Sequence, residues 1–196
     1  ATYTSGTQYY TAAGASAHTW DKAANTTLYA GWKANTYPVS FNANNGSGGQ
    51  SANVTATYGS AMPSISTTAP TRTGYTFMGW STTEDGPVEY FDKEWVINLT
   101  TEDGEVINLY AVWSAKTFYV NYYWRTPLGY DYTPLMCTYD EDCFAEENDW
   151  FERENYAFTG WKCKNCAAPF DGLIKPGDNI KNITDGSSVM LEAQWE

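Results

Sequence analysis

Four cysteines are the residues whose type and spacing most directly indicate chemistry. They are Cys137, Cys143, Cys163 and Cys166. Four cysteines allow three disulfide connectivities. Two local bridges, Cys137–Cys143 and Cys163–Cys166, are favoured because residues 140–142 (DED) can turn the chain back and residues 164–165 (KN) can close a tight loop. A crossed pairing stays open on sequence grounds.

The same thiols have an alternative as a tetrathiolate zinc site. Structural zinc sites commonly take cysteines from short C-x2-C to C-x4-C segments. The spacing of Cys163 and Cys166 fits this rule, but that of Cys137 and Cys143 is too long for a standard knuckle. A thioredoxin-like redox role for Cys163 and Cys166 lacks the surrounding βαβ pattern. The sequence therefore predicts no metal, with zinc at these four cysteines as the alternative.

A run of carboxylates in the second half of the chain offers hard oxygen ligands for calcium. It lacks the ligand order and the glycine of an EF-hand loop. Charge runs of this kind usually form a solvated face, which is the interpretation that we favour. The run consists of Asp140, Glu141, Asp142, Glu146, Glu147 and Asp149.

Catalytic patterns are weak in this sequence. His18 is the only histidine, and no G-x-S-x-G motif accompanies it to supply a nucleophile. Paired carboxylates can hydrolyse glycosides, but the sequence alone singles out no pair. We therefore expect no catalytic residues, no cofactor and no enzymatic activity.

The elements that position these residues are organised by an internal repeat. Residues 74–80 (GYTFMGW) return 81 positions later as residues 155–161 (NYAFTGW). A second signature, L-x-A-x-W, occurs at residues 28–32, 109–113 and 191–195, with its tryptophans 81 and 82 positions apart. Self-similarity at a fixed period indicates one structural unit that is used repeatedly.

Alternating apolar residues predict the strands of each unit. Tyr37, Val39 and Phe41 share one face of a period-2 strand. In the closing strand of the second unit, the predicted core face consists of Val189, Leu191, Ala193 and Trp195.

The signature strand carries bulky residues on both faces. Phe77 lies on one face and Met78 and Trp80 lie on the other, which is typical of a strand covered on two sides. Residues 144–152 (FAEENDWFE), between the second and third strands of the second unit, are predicted to form two helical turns.

These signatures resemble the Listeria–Bacteroides repeat, the internalin B-repeat family of bacterial surface proteins. The resemblance is strong over residues 35–115, clear over 116–196 and partial over 1–34, which match only the second half of a copy. It implies small, β-rich α+β units with a β-grasp, ubiquitin-resembling fold and a helix at residues 144–152. It also implies a secreted or wall-attached location, where disulfides form readily.

Composition excludes several classes of function. The net charge of −12 and only 11 basic residues argue against a nucleic-acid partner, because affinity for phosphates depends on Lys and Arg. No apolar run approaches the roughly 18–20 residues that span a bilayer. Because residue 1 falls inside a repeat, we expect the sequence to be an excised piece of a longer protein.

The sequence thus predicts three parts: a truncated repeat at 1–34 and complete repeats at 35–115 and 116–196. We expect a non-catalytic extracellular module of a bacterial surface protein, serving as a stalk and as an adhesion or protein-interaction unit with a protein or glycan ligand. The alternative is a carbohydrate-binding accessory module of a secreted enzyme, with Trp95 or Trp124 beside Trp150 as its platform. The half-repeat at 1–34 leaves strand edges and apolar residues uncovered, so we expect it to dock on the next unit, to self-associate with another molecule or to be disordered. The variable loops at 81–103 and 162–185 are further candidate contact sites.

Overall fold

The computed structural model describes most of the 196-residue chain. The described residues are 6–49, 52–61, 69–91, 98–126, 129–150, 152–166 and 168–196. Within them, nine strands form two mixed sheets, one after the other along the sequence.

The first sheet contains four strands in the order β2-β1-β4-β3. β1 pairs antiparallel with β2 and parallel with β4, and β3 pairs antiparallel with β4. The predicted alternation explains the strands, because Tyr37, Val39 and Leu109 are all buried on one face. The strands are β1 (Thr36–Asn42), β2 (Val54–Thr57), β3 (Tyr75–Ser81) and β4 (Ile107–Ala115).

The second sheet repeats this order with one added edge strand, as β6-β5-β9-β7-β8. β5 pairs antiparallel with β6 and parallel with β9, as β1 does with β2 and β4. Only Lys116 separates β4 from β5. The strands are β5 (Thr117–Thr126), β6 (Gly129–Thr138), β7 (Phe158–Cys163), β8 (Leu173–Ile174) and β9 (Ser188–Trp195). The division at residues 34, 115 and 196 stays a prediction.

Each sheet buries its own hydrophobic core. The predicted core face is confirmed, since Val189, Leu191 and Ala193 are all buried. Fully burying a side chain such as Leu191 contributes about 1.5–3 kcal/mol relative to leaving it exposed. The first core consists of Tyr37, Val39, Ala56, Trp80, Leu109 and Ala111; the second includes Phe118, Val120, Tyr122, Trp161, Ile174, Ile180, Ile183 and Leu191, together with Cys137, Cys143 and Cys163.

The expected α+β, β-grasp class is wrong, because the described residues form an all-β fold with no helix. The segment around Ala145 is extended and pairs with residues 177–180: the Ala145 amide donates to the Asp178 carbonyl at 2.9 Å. Two side chains hold it as well, since the Glu146 amide donates to the Tyr122 hydroxyl and the Trp161 indole donates to the Glu146 carbonyl. These long-range bonds occupy backbone groups that a helix would need.

The signature strand is not covered on both faces as expected. A β-bulge between Phe77 and Gly79 shifts the register, so Phe77 and Trp80 pack together with ring centroids 5.1 Å apart while Met78 is 45% exposed. Gly79 has a φ of 149°, and a Cβ there would lie 2.5 Å from the Tyr90 carbonyl oxygen. The Gly-Trp pair of the signature therefore marks a β-bulge, and its glycine position has no room for a side chain.

The part of the predicted truncated repeat that the structure describes is extended and largely exposed. Leu28 is 49% exposed and Trp32 is 75% exposed, whereas their counterpart Leu109 belongs to the first core and their counterpart Trp113 packs against it. No strand is assigned within residues 6–34. The L-x-A-x-W signature alone therefore does not produce the paired strand that it forms in the complete units.

Candidate interaction surfaces

The four cysteines form two disulfides at the ends of strands. Cys137, at the end of β6, is bonded to Cys143, and Cys163, at the end of β7, is bonded to Cys166. These are the pairs that the sequence favours. Each bridge links a strand of the second sheet to the loop that follows it, so the bridges fasten loops to the second core.

The carboxylates of the acidic run take part in local hydrogen bonds. The Asp140 carboxylate accepts from the Asn182 amide at 2.7 Å, and Asp142 accepts from Asn179 at 2.9 Å. Both asparagines lie in the loop that precedes β9, so these bonds join two loops. Among the described residues, no group of three or more His, Cys, Asp or Glu side chains is arranged to hold a metal ion.

His18 belongs to a small aromatic cluster in the N-terminal segment. Its ring lies edge-on to Tyr9, with centroids 5.4 Å apart, and Tyr9 also contacts Trp20. The Tyr9 hydroxyl donates to Asp21, which holds the pKa of that carboxyl below its usual value. The arrangement packs a local turn and assembles no nucleophile with His18.

Two of the tryptophans predicted to form a sugar platform, Trp124 and Trp150, pack against residues of the second core. Trp150 is 41% exposed, but its ring packs 5.8 Å from Tyr122 and 6.3 Å from Trp161. Trp124 is partly buried against the second core. Trp95 lies outside the described residues.

The two sheets meet at a junction made of residues 74, 75, 139 and 140. The Tyr75 hydroxyl donates to the Asp140 carboxylate at 2.6 Å, and the Tyr75 ring packs edge-on against Tyr139 with centroids 5.8 Å apart. Backbone bonds continue the contact, because the Lys116 amide donates to the Gly74 carbonyl and the Tyr139 amide donates to the Lys116 carbonyl, each at 2.9 Å. Gly74 is required here, because a Cβ would overlap the Tyr139 ring.

The pKa shifts of the residues at this junction agree with its hydrogen bonds. The Tyr75 hydroxyl, followed by the Asn182 amide, holds the pKa of the Asp140 carboxyl below its usual value, while the same bond raises the pKa of Tyr75. The Arg72 guanidinium lies over the Tyr75 ring at 3.7 Å from its centroid, a cation–π contact. The junction therefore joins the Arg72–Tyr75 cation–π pair of the first unit to the turn of the second unit that carries Asp140.

The outer face of the second sheet carries several exposed tyrosine and methionine side chains. Five exposed residues on β5, β6 and β9 lie on the side opposite the core, and we call this set the tyrosine face. Register places Met136 opposite Tyr119, and it places Tyr132 opposite Tyr123, whose ring also contacts Tyr130 with centroids 5.6 Å apart. Its members are Tyr119, Tyr130, Tyr132, Met136 and Met190, each 47–65% exposed.

The first sheet carries Pro, Thr and Asn at three of the corresponding positions. Pro38 and Thr55 pair in the first sheet as Tyr119 and Met136 pair in the second, and Asn108 stands where Met190 stands. The fold therefore does not require these apolar side chains. Contiguous exposed apolar surface commonly marks an interaction site.

Sequence reasoning did not identify the tyrosine face or the junction. The signal for the face was present, because Tyr119 alternates with the core residues Phe118 and Val120. The junction gives no local signal, since Tyr75 and Asp140 are 65 residues apart.

Two mixed sheets that repeat one strand order and one sequence signature define a tandem β-repeat protein. Residues 37–112, from β1 into β4, match the Listeria–Bacteroides repeat domain, which confirms for the first unit the family that the signatures predict.

Two curated relatives come from Evansella cellulosilytica. One, described as "Putative Gly-rich membrane protein", is 32% identical over 132 residues, which are 64% of this chain and 14% of the relative. The other, described as "Putative membrane protein", is 30% identical over 174 residues, which are 86% of this chain and 23% of the relative. The chain thus spans less than a quarter of either protein.

No solved structure is significantly similar to this chain. In the part of the chain that the structure describes, no helix is both long and apolar enough to cross a bilayer.

Proposed function

We propose that this chain is a non-catalytic extracellular module of a bacterial surface protein, in which successive repeats form a stalk and one repeat carries a contact surface. The observation that carries the proposal is the junction: a single residue, Lys116, separates β4 from β5, and Tyr75 is hydrogen-bonded to Asp140 across it. A short linker with specific contacts restricts the motion of one unit against the next, which a stalk requires.

The extracellular location is supported by the cysteines and by the relatives. Disulfides persist in oxidising compartments and are rare in the cytosol, and two of them fasten the second unit. Two relatives carry the description of membrane proteins. A module outside the cell, attached to a larger membrane-linked protein, accounts for both observations.

The tyrosine face is our proposed contact surface, and its partner is a protein. Exposed Tyr and Met are enriched in the core of protein–protein interfaces, where charged residues are depleted. The exposed fractions of Tyr130 and Tyr132, 65% and 62%, leave their rings available to a partner. These same rings also suit the carbohydrate-binding alternative, because aromatic faces stack on sugars.

The stalk is tested by NMR residual dipolar couplings measured on the whole chain. We expect one alignment tensor to fit the amides of both sheets, and we expect Gly74→Asn to worsen that common fit without abolishing the junction, because its Cβ would displace Tyr139. The matched control is Gly104→Asn, at a glycine with φ of 78° and open space around it. Two independent tensors in the unmodified chain would contradict the stalk.

The contact surface is tested by binding to arrays of extracellular proteins and of glycans. We expect protein binding that is lost when Tyr130→Ser and Tyr132→Ser are combined. It should be retained in a control with Tyr10→Ser and Tyr29→Ser, which are exposed tyrosines outside the face. Binding to glycans alone would favour the carbohydrate-binding module. Binding that is unaffected by the first pair would remove the tyrosine face as the contact site.

A further inference from the structure

The arginine–tyrosine pair at the junction recurs at the corresponding place in the second unit. Arg72 lies 3.7 Å from the Tyr75 ring centroid, and Arg153 lies 3.9 Å from the Tyr156 centroid. The backbone is also repeated, because the Tyr75 amide donates to the Arg72 carbonyl at 3.1 Å and the Tyr156 amide donates to the Arg153 carbonyl at 3.0 Å. The second unit thus presents the same preformed surface.

The two copies of this surface differ in what covers them. Tyr75 is half-buried because Tyr139 packs on it, and its hydroxyl is bound to Asp140. Tyr156 is 50% exposed and Arg153 is exposed. A side chain that is ordered by a cation–π contact and left open to solvent is a preorganised docking surface.

The complementary half of the junction is also repeated. In the second unit the turn is held by the Asp140 amide, which donates to the Asn182 side chain at 2.7 Å. In the first unit the Gly59 amide donates to the Asn98 side chain at 2.5 Å, and the preceding Tyr58 is 40% exposed. A tyrosine-bearing turn of this shape is therefore a property of the repeat and not of the second unit alone.

We propose that the Arg153–Tyr156 surface docks the tyrosine-bearing turn of another Listeria–Bacteroides repeat joined in tandem to the second unit. The inference deepens the stalk proposal and rests on it, because it names the partner of the second unit. Continuity with the observed junction supports it. Charge also fits, since a carboxylate at the position of Asp140 would attract the Arg153 guanidinium, as Asp140 and Arg72 attract each other at the first junction.

One residue distinguishes the second surface from the first. Asn155 replaces Gly74 and keeps its left-handed backbone, with φ of 66° against 74°. Because a Cβ at Gly74 would overlap the Tyr139 ring, the incoming tyrosine must lie further from Asn155 than Tyr139 lies from Gly74. The second junction is therefore a looser copy of the first, and Asn155→Gly should tighten it.

The test extends the whole chain after Glu196 with a second copy of residues 116–196, which preserves the spacing of the first junction. The added lysine corresponds to Lys116, so its amide should donate to the Asn155 carbonyl. We expect the amide resonances of Arg153 and Tyr156 to shift on extension. We also expect the added lysine amide to exchange with solvent about tenfold more slowly than in the same chain carrying Tyr156→Ala.

Two variants of the extended chain complete the test. Asn155→Gly should slow this exchange further, and Tyr75→Ala should loosen the first junction while leaving the second unchanged. Unchanged resonances at Arg153 and Tyr156, or exchange that is insensitive to Tyr156→Ala, would overturn the proposal. Concentration-dependent association of the unextended chain through Tyr156 would also overturn it, in favour of a second molecule.

These outcomes are separable from those that test the stalk. A single alignment tensor for the two sheets of the unextended chain would stand even if the added repeat failed to dock on Tyr156. The Trp161 indole resonance reports whether the second unit stays folded in every variant, since this side chain is fully buried in its core.

Discussion

The Tyr75 hydroxyl donates a hydrogen bond to Asp140 across the boundary between two sheets, with 2.6 Å between the oxygen atoms. Tyr75 opens the signature strand of the first unit, and Asp140 lies in the turn after β6 of the second. The residue that marks the repeat in the sequence is thus also the residue that joins one repeat to the next. This link connects the internal symmetry of the sequence with the proposed stalk.

The junction should respond to acid and to strong base. The pKa of Asp140 is lowered chiefly by the Tyr75 hydroxyl, so the stabilisation is complete above the ordinary value of 3.8 and is lost as pH falls through the lowered pKa. The pKa of Tyr75 is raised chiefly by the same bond, so its contribution is complete below the ordinary value of 10.0 and is lost as pH rises through the raised pKa.

Tyr75→Phe tests this account by NMR titration of the Asp140 carboxyl. We expect the pKa of Asp140 to rise toward its ordinary value, because the first of its causes is removed. Tyr156→Phe is the matched control, since Tyr156 occupies the same position without a partner turn. An Asp140 titration that is identical in the Tyr75→Phe chain would show that the hydrogen bond does not form in solution.

The buried hydroxyl of Tyr122 should stabilise the extended segment that replaces the predicted helix. Tyr122→Phe leaves the Glu146 amide without its acceptor, and we expect the free energy of unfolding of the second unit to fall by about 1–3 kcal/mol. Phe41 occupies the equivalent position in the first unit, so the phenyl ring itself fits the fold. Urea denaturation measures the change, and an unchanged midpoint would contradict this role.

The same substitution should reduce the sensitivity to alkali. Burial raises the pKa of Tyr122 to about 12, above the ordinary 10.0, so the unfolded chain loses this proton first and stability falls as pH rises from 10 toward 12. The Tyr122→Phe chain should lose less stability over that range. An equal loss in both chains would assign the alkaline transition to other groups.

The sequence predicts the cores well because they are local patterns. Val189, Leu191 and Ala193 recur at every second position, and the structure buries all three. The prediction of a helix at residues 144–152 is wrong because the backbone around Ala145 forms hydrogen bonds with residues more than 30 positions away, in the loop at 177–180. Tyr119 and Met136 form part of an exposed face only through strand pairing, which no single stretch of sequence contains.

The disulfides should stabilise the second unit selectively. Closing loops as short as these contributes about 2 kcal/mol per bridge in the chain-entropy account. We expect Cys137→Ala combined with Cys143→Ala to lower the free energy of unfolding of the second unit by about this amount. The first unit contains no cysteine and serves as the internal control, followed through the Trp80 indole resonance.

Reduction of both bridges should have a larger effect than either pair of substitutions. If the reductant lowered the stability of the first unit as much as that of the second, the effect could not be assigned to the bridges. If the reductant changed the stability of neither unit, the chain-entropy account would not apply to these loops.

The exposed L-x-A-x-W segment near the N-terminus should make the chain self-associate. Leu28 and Trp32 are exposed, whereas their counterparts belong to the first core or pack against it, so they retain apolar surface that a partner can bury. We expect Leu28→Ser combined with Trp32→Ser to weaken association about tenfold or more in sedimentation equilibrium. Tyr119→Ser, at a comparably exposed position on the tyrosine face, is the control. Association reduced by Tyr119→Ser instead would place the interface there.

The central claim, a disulfide-stabilised module outside the cell, is tested most directly on unbroken bacteria that produce the protein. An antiserum against the folded chain is applied to intact cells, and the extracted protein is alkylated before and after reduction and weighed. The account predicts labelling without lysis and a mass about 4 Da below that of the fully reduced protein, corresponding to two disulfides. Labelling only after lysis, with four alkylatable cysteines, would contradict it.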